Sequence, residues 1–161
     1  MKAGTRGMAS TEVSASRSQL YDAVSDVRRM GEWSPECQRC KWIDGAVGPA
    51  VGARFKGSNR RGIVRWSTMP RVVVADSGQE FAFVTGHRGR DMTKWTYRFD
   101  PVVGGTFLGE SFEMLRDMPW YYCIADRYLM GIKDRRADLV SNMEATLQCL
   151  RAATEDPDGL H

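Results

Sequence analysis

The spacing of apolar positions changes twice along the chain. From Ala9 to Ser16 a mixture of small, polar and β-branched residues predicts a first strand. Leu20, Ala23 and Val24 then recur at helical spacing, behind Ser16 or Ser18 as the cap of a short helix. A second short helix is expected over Val27–Trp33, opening after Ser25-Asp26 and stopped before Pro35. Beyond Pro35 the period drops to two. Cys40 and Trp42 mark a strand ending at Asp44-Gly45, and the run 45–52, with three glycines and one proline, is a connection. Ala53, Phe55 and Gly57 share one face of the next strand, with Arg54 and Lys56 on the other. Asn59-Arg-Arg-Gly62 reads as a turn, and Ile63–Ala75 as a longer strand bent near Pro70. Further turns at Ser77-Gly78, Gly86–Gly89 and Pro101–Gly105 separate strands carrying Phe81 and Phe83, then Trp95, Tyr97 and Phe99, then Leu108, Phe112 and Met114. From Trp120 the period returns to 3.6. Tyr121, Ile124, Tyr128, Ile132, Leu139, Met143 and Leu150 predict one amphipathic helix of about thirty residues.

One strand, two short helices, about six antiparallel strands and a long helix make an α+β arrangement. The helix needs a surface for its apolar stripe, and the strands need cover for their aromatic face. A twisted antiparallel sheet of about seven strands, curled around the C-terminal helix, satisfies both. Such a curl leaves a hollow on its inner face. Phe55, Trp66, Phe81, Phe83, Trp95, Tyr97, Phe112, Tyr121 and Tyr128 are the candidates to line it, each of them otherwise a filler of the core. A single domain is expected over residues 9–154, with 1–8 and 155–161 as flexible termini.

The chain has 161 residues, of which 42% are hydrophobic and 27% charged, which suits one globular domain and argues against disorder. Lys plus Arg number 23 against 20 acidic residues, a formal charge of +3, too mild to predict DNA binding. The distribution is less even. No acidic residue lies between Asp44 and Asp76, where Arg54, Lys56, Arg60, Arg61, Arg65 and Arg71 all fall. That stretch is either a solvated strand face or a contact for phosphate. No apolar run approaches the ~18 residues of a membrane span, and Met1–Gly7 lacks the apolar core of a signal peptide, so the cytoplasm is the expected location.

Candidate chemistry is sparse. Cys37 and Cys40 have C-x-x-C spacing, but on a regular strand residues three apart face opposite ways, so the two sulfurs are expected to diverge. Cys123 and Cys149 are too far apart to complete a zinc site. Neither a metal nor a cofactor is expected. His87 and His161 are the only histidines, and neither has the setting of a catalytic base. Glu110 is in phase with Leu108, Phe112 and Met114, so it is expected to point inward with a raised pKa. Arg135, near the apolar stripe of the terminal helix, is the candidate to pair with it or to hold a ligand carboxylate. Asn59 and Arg61 are weaker polar candidates.

The stretch Leu20–Val27 running into Met30-Gly-Glu-Trp-Ser-Pro35, together with Gly52-Ala-Arg-Phe55 and Gly104-Gly-Thr106, resembles the START-like, Bet v 1-like superfamily. More narrowly it is similar to the polyketide cyclase/dehydrase and lipid-transport branch. The resemblance covers about Ala9 to Ala153 and implies a helix-grip fold. It also implies binding of a hydrophobic or amphipathic small molecule, lipid or polyketide-like, between sheet and terminal helix. Two other functions stay open: an aromatase/cyclase using Glu110, Arg135 and Tyr97 or Tyr128, and a ribosome- or RNA-associated module using the basic stretch 54–71. Whether the protein is a monomer or a dimer is not written in the pattern.

Overall fold

The computed structural model describes residues 1–155. Strand β1 (Arg6–Val13) starts three residues earlier than the pattern implies, burying Gly7, Ala9 and Val13 on one face. The residues ahead of it, expected to be loose, are laced to the segment after the last strand. Gly4 N–H donates to the Met114 carbonyl at 2.8 Å and Met118 N–H to the Met1 carbonyl at 2.9 Å, while Ala3 N–H donates to Asp117 Oδ1 at 2.8 Å. Of the expected C-terminal tail, only Glu155 lies within the described residues; it ends a helix and accepts from Ser14 N–H at 2.8 Å.

Helix α1 (Arg17–Ser25) opens with a reciprocal capping box. Ser16 Oγ accepts from Gln19 N–H at 3.2 Å, and Gln19 Oε1 accepts from Ser16 N–H at 3.0 Å. A 3₁₀ turn over Val27–Glu32 follows, and Asp26 caps it through Arg28 N–H. Strands β2 (Cys37–Ile43), β3 (Arg54–Arg61), β4 (Val64–Thr68), β5 (Arg71–Asp76), β6 (Glu80–His87), β7 (Arg90–Val102) and β8 (Gly105–Met114) come next. The turn expected at Asn59–Gly62 is shorter than its sequence suggests, because β3 runs through to Arg61. The long strand expected over Ile63–Ala75 is two strands, divided at Pro70, which has no N–H to give a ladder.

All strand pairs are antiparallel, in the order β1-β8-β7-β6-β5-β3-β2, with β4 paired to β3 off this path. Bulges at Cys37/Arg39, Val72/Val74 and Thr85/Gly86 add local bend, so the sheet curls into a half-barrel. The fold is the helix-grip arrangement.

The C-terminal helix is where the pattern misleads. It breaks into α2 (Trp120–Leu129) and α3 (Arg135–Glu155). Gly131, at φ +68°, takes the left-handed turn that ends α2, and Ile132 N–H reaches back to the Asp126 carbonyl at 2.8 Å. Asp134 then starts α3 by accepting from Ala137 N–H at 3.1 Å. The break puts the two halves out of phase. Leu139, Met143, Leu147 and Leu150 are buried, whereas Ile124 is 48% and Tyr128 77% exposed. No helix among the described residues is long and apolar enough to cross a membrane.

The seat of α3 on β1 and β8 depends on a missing side chain. A Cβ on Gly7 would lie 2.5 Å from the Phe112 ring and 2.9 Å from Val140 of α3, whereas one on Gly109 would meet nothing within 4 Å. Gly7→Ala is therefore expected to destabilise the protein by about 1–3 kcal/mol through overpacking, and Gly109→Ala to be neutral or mildly stabilising. Denaturant midpoints of the two variants check this; equal midpoints would contradict the close packing of α3.

Candidate functional site

Beyond the reach of α3, the inner face of the sheet is open. Tyr21 of α1 fills one end, its ring 6.3 Å from Phe81 and 5.8 Å from Phe99. At the other end a cavity of about 460 Å³ lies between the sheet, α2 and α3. That volume is in the range of small-molecule pockets.

Of the aromatic candidates, Phe55, Trp66, Phe83, Trp95 and Tyr97 line this cavity. Phe81 does not, because the Tyr21 ring occupies the space beside it. Phe112 does not either: it is 1% exposed, locked between Gly7, Val140 and Trp95. Tyr128 lies on the solvent side of α2. Tyr121 stays outside the lining but has a mechanical place. Its hydroxyl is 2.8 Å from His87 Nε2, and the hydroxyl of Tyr122, which does line the cavity, is 3.0 Å from His87 Nδ1. Both ring nitrogens of His87 thus tie the roof helix α2 to the end of β6.

Glu110 is inward, as its phase on β8 requires, and 5% exposed. Register places it directly opposite Tyr97 on β7, whose hydroxyl donates to Glu110 Oε1 at 2.8 Å. Oε2 is the single buried side-chain polar atom without a partner among the described residues. Burial pushes the carboxyl up to about 8, a rise that the hydrogen bond from Tyr97 only partly offsets. Burial likewise lifts the Tyr97 phenol well above its ordinary range, and the nearby Glu110 charge adds to this. At neutral pH Glu110 is therefore a carboxylic acid. With Oε1 accepting from Tyr97, the proton resides on Oε2.

Arg135 lines the cavity without meeting Glu110. Sitting on the first turn of α3, it lies 3.2 Å from Asp138, 3.9 Å from Asp126 and 4.0 Å from Glu36. Arg61 belongs to the same group, gripping Asp138 with two hydrogen bonds of 2.8 and 2.6 Å and Glu36 with one of 3.0 Å. These charges fasten the far end of β3 to the start of α3. Asn59 lines the cavity and is 3.5 Å from Thr68 Oγ1. Elsewhere in the basic stretch, Arg54 pairs with Asp44 and Arg71 with Asp91, each at 2.8 Å. Much of its charge is thus met within the protein.

Two features escape a reading by periodicity. Seven of the nine methionines (Met1, Met30, Met92, Met114, Met118, Met130 and Met143) line the cavity, a soft and adaptable wall. Cys37 and Cys40 line it too, and their sulfurs do not diverge: they are 3.4 Å apart. The bulge between Cys37 and Arg39 inserts the extra residue that returns both side chains to one face. Their mutual hydrogen bond lowers the Cys37 thiol and raises that of Cys40, which burial raises further. Among the described residues no group of three or more His, Cys, Asp or Glu side chains is clustered for a metal.

Glu110 also makes stability depend on pH. Its proton is released near 4.5 in the unfolded chain and near 8 in the fold, so its contribution is full below about 4.5 and lost as pH rises through 8. Glu110→Gln is expected to remove this decline, worth on the order of a few kcal/mol. Unfolding midpoints of both proteins at pH 5.5 and 8.5 measure it (values spanning about that interval). The same loss in both would mean that Glu110 is ordinary.

Residues 6–120 match the model of the polyketide cyclase/dehydrase and lipid-transport family. No curated protein matches the chain. Among solved structures, the Polyketide_cyc-like protein of Corynebacterium glutamicum is 30% identical, with 100% of this chain and 99% of that one covered and a TM-score of 0.65. The di-domain ARO/CYC StfQ of the steffimycin biosynthetic pathway reaches a TM-score of 0.74 at 16% identity, over 96% of this chain and 52% of that one. The ginseng major latex-like protein 151 of Panax ginseng gives 0.70 at 11% identity, over 93% and 97%. The last two are likenesses of fold alone. With the family match spanning most of the described residues, the chain belongs to the polyketide cyclase/dehydrase and lipid-transport family of the START-like, Bet v 1-like superfamily.

Proposed function

We propose that the cavity binds an amphipathic small molecule with an apolar, ring-bearing body and a carbonyl oxygen that accepts the proton of Glu110 Oε2. The observation that carries this reading is the buried, unpartnered Oε2 of Glu110 in a wall rich in aromatic and methionine side chains. A buried polar atom without a partner costs about 1–3 kcal/mol, which a ligand carbonyl would recover. Phe55, Phe83, Trp66 and Trp95 contact the apolar body, each Å² removed from water contributing roughly 25 cal/mol. The family's polyketide and lipid chemistry supports a ligand of this class.

A second reading rests on the same group. A carboxylic acid with a pKa near 8, backed by the Tyr97 hydroxyl, has the means to protonate a ketone oxygen during an aldol closure or dehydration. The resemblance in fold to an ARO/CYC protein is consistent with it. Arg135 has no part in that chemistry, being held among Asp126, Asp138 and Glu36. The RNA-associated alternative draws least support, since Arg54, Arg61 and Arg71 already have carboxylate partners.

Binding and catalysis separate by experiment. A polycyclic aromatic ketone titrated into the protein is expected to quench Trp66 and Trp95 fluorescence saturably and to bind more tightly than its parent hydrocarbon. That preference is expected to fade as pH rises through about 8, where Oε2 loses its proton. Trp95→Ala weakens both ligands, whereas Tyr128→Ala, on the outer side of α2, changes neither. Absence of any saturable signal from the folded protein overturns the binding reading. Turnover of a poly-β-keto thioester that vanishes in Glu110→Gln selects the second.

A further inference from the structure

The Cys37–Cys40 pair is unused by the function proposed above. A regular strand would send these sulfurs to opposite faces; the β2 bulge brings them to 3.4 Å instead. A third sulfur joins them. Met30 Sδ, on the 3₁₀ turn that packs on β2, lies 3.9 Å from Cys40 Sγ. That approach requires a glycine next door, since a Cβ on Gly31 would lie 2.7 Å from the Gln38 carbonyl oxygen. All three residues line the cavity, both cysteines are free thiols, and each is only 4% exposed.

We propose that Cys37, Cys40 and Met30 form a binding site for one soft divalent metal ion, held as a bis-thiolate with the Met30 thioether as third ligand. Two thiolates and a thioether select thiophilic metals over magnesium or calcium, which take oxygen ligands. Charge balance selects a divalent ion. Two thiol protons leave as the cation enters, so the buried site stays neutral, whereas a monovalent ion held by the same two thiolates would leave one uncompensated negative charge. The geometry is within reach. Metal–sulfur bonds of about 2.3 Å at a tetrahedral angle put the sulfurs about 3.8 Å apart, a few tenths of an ångström beyond the spacing seen, which small rotations of the two side chains supply. The site does not depend on the organic-ligand reading, and the two can be tested apart.

Cadmium ion is the probe. The exposed Cys123 and Cys149 are first replaced by serine, so that any thiolate signal comes from the buried pair. Titration of the fully reduced protein with Cd²⁺ is expected to raise a thiolate-to-metal charge-transfer absorption that saturates at one ion per chain. Bound Cd²⁺ is expected to protect Cys37 and Cys40 from alkylation, read by peptide mass spectrometry. Cys37→Ser or Cys40→Ser should abolish the band, and Met30→Leu, which keeps the volume, should weaken binding by about tenfold or more. No saturable band in the reduced protein, or a band that survives both serine variants, overturns the site. Should a serine variant fail to fold, Met30→Leu decides: unchanged affinity removes the thioether and the three-sulfur assignment with it.

Discussion

Leu139, Met143, Leu147 and Leu150 of α3 press against β1 and β8 on one side of the curl, and the rest of the inner face lies beyond that row. A helix is about 10 Å wide, while strands add nearly 5 Å each, so one helix covers only part of a sheet this broad. At one end the deficit is met by α1, whose Tyr21 ring packs on Phe81 and Phe99. At the other, only α2 stands over the opening, tied down through His87 and the pairing of Asp126 with Arg135. The cavity is the space that this division of cover leaves.

Glu110 shows how the same geometry turns a structural position into a chemical one. Its carboxyl faces inward because β8 alternates without interruption from Thr106 to Met114. Its neighbour across the ladder, Tyr97, can satisfy only one oxygen. In a filled core the second would be an uncompensated cost, and such positions are ordinarily apolar. Beside a cavity it becomes a neutral hydrogen-bond donor near physiological pH.

Sulfur is the other theme of the wall. Methionine from the chain start, the 3₁₀ turn, β7, β8, the link to α2 and α3 converges there, although these positions are scattered in sequence. Flexible thioethers adapt to guests of different outline better than rigid branched side chains would. The buried cysteine pair belongs to the same wall, yet its chemistry is distinct from that of Glu110.

The residue pattern alone determined the order of elements, the curled sheet and the inward carboxylate, because each rests on local periodicity: alternation from Leu108 to Met114 holds Glu110 in phase whatever lies opposite. Of the nine aromatic residues it named, five share the cavity wall, together with Tyr122, which it did not name. What it missed depended on events that shift phase by a residue or on packing between distant parts. A bulge at Cys37/Arg39 reversed the expected divergence of two sulfurs. Gly131 and Asp134, readable as stop and start signals, split the terminal helix and carried Tyr128 to the solvent side. Phe81 and Phe112 have the same alternation as Phe83 and Trp95; only the arrival of Tyr21 on one and of Gly7 and Val140 against the other decided which rings fill the core and which face an empty space.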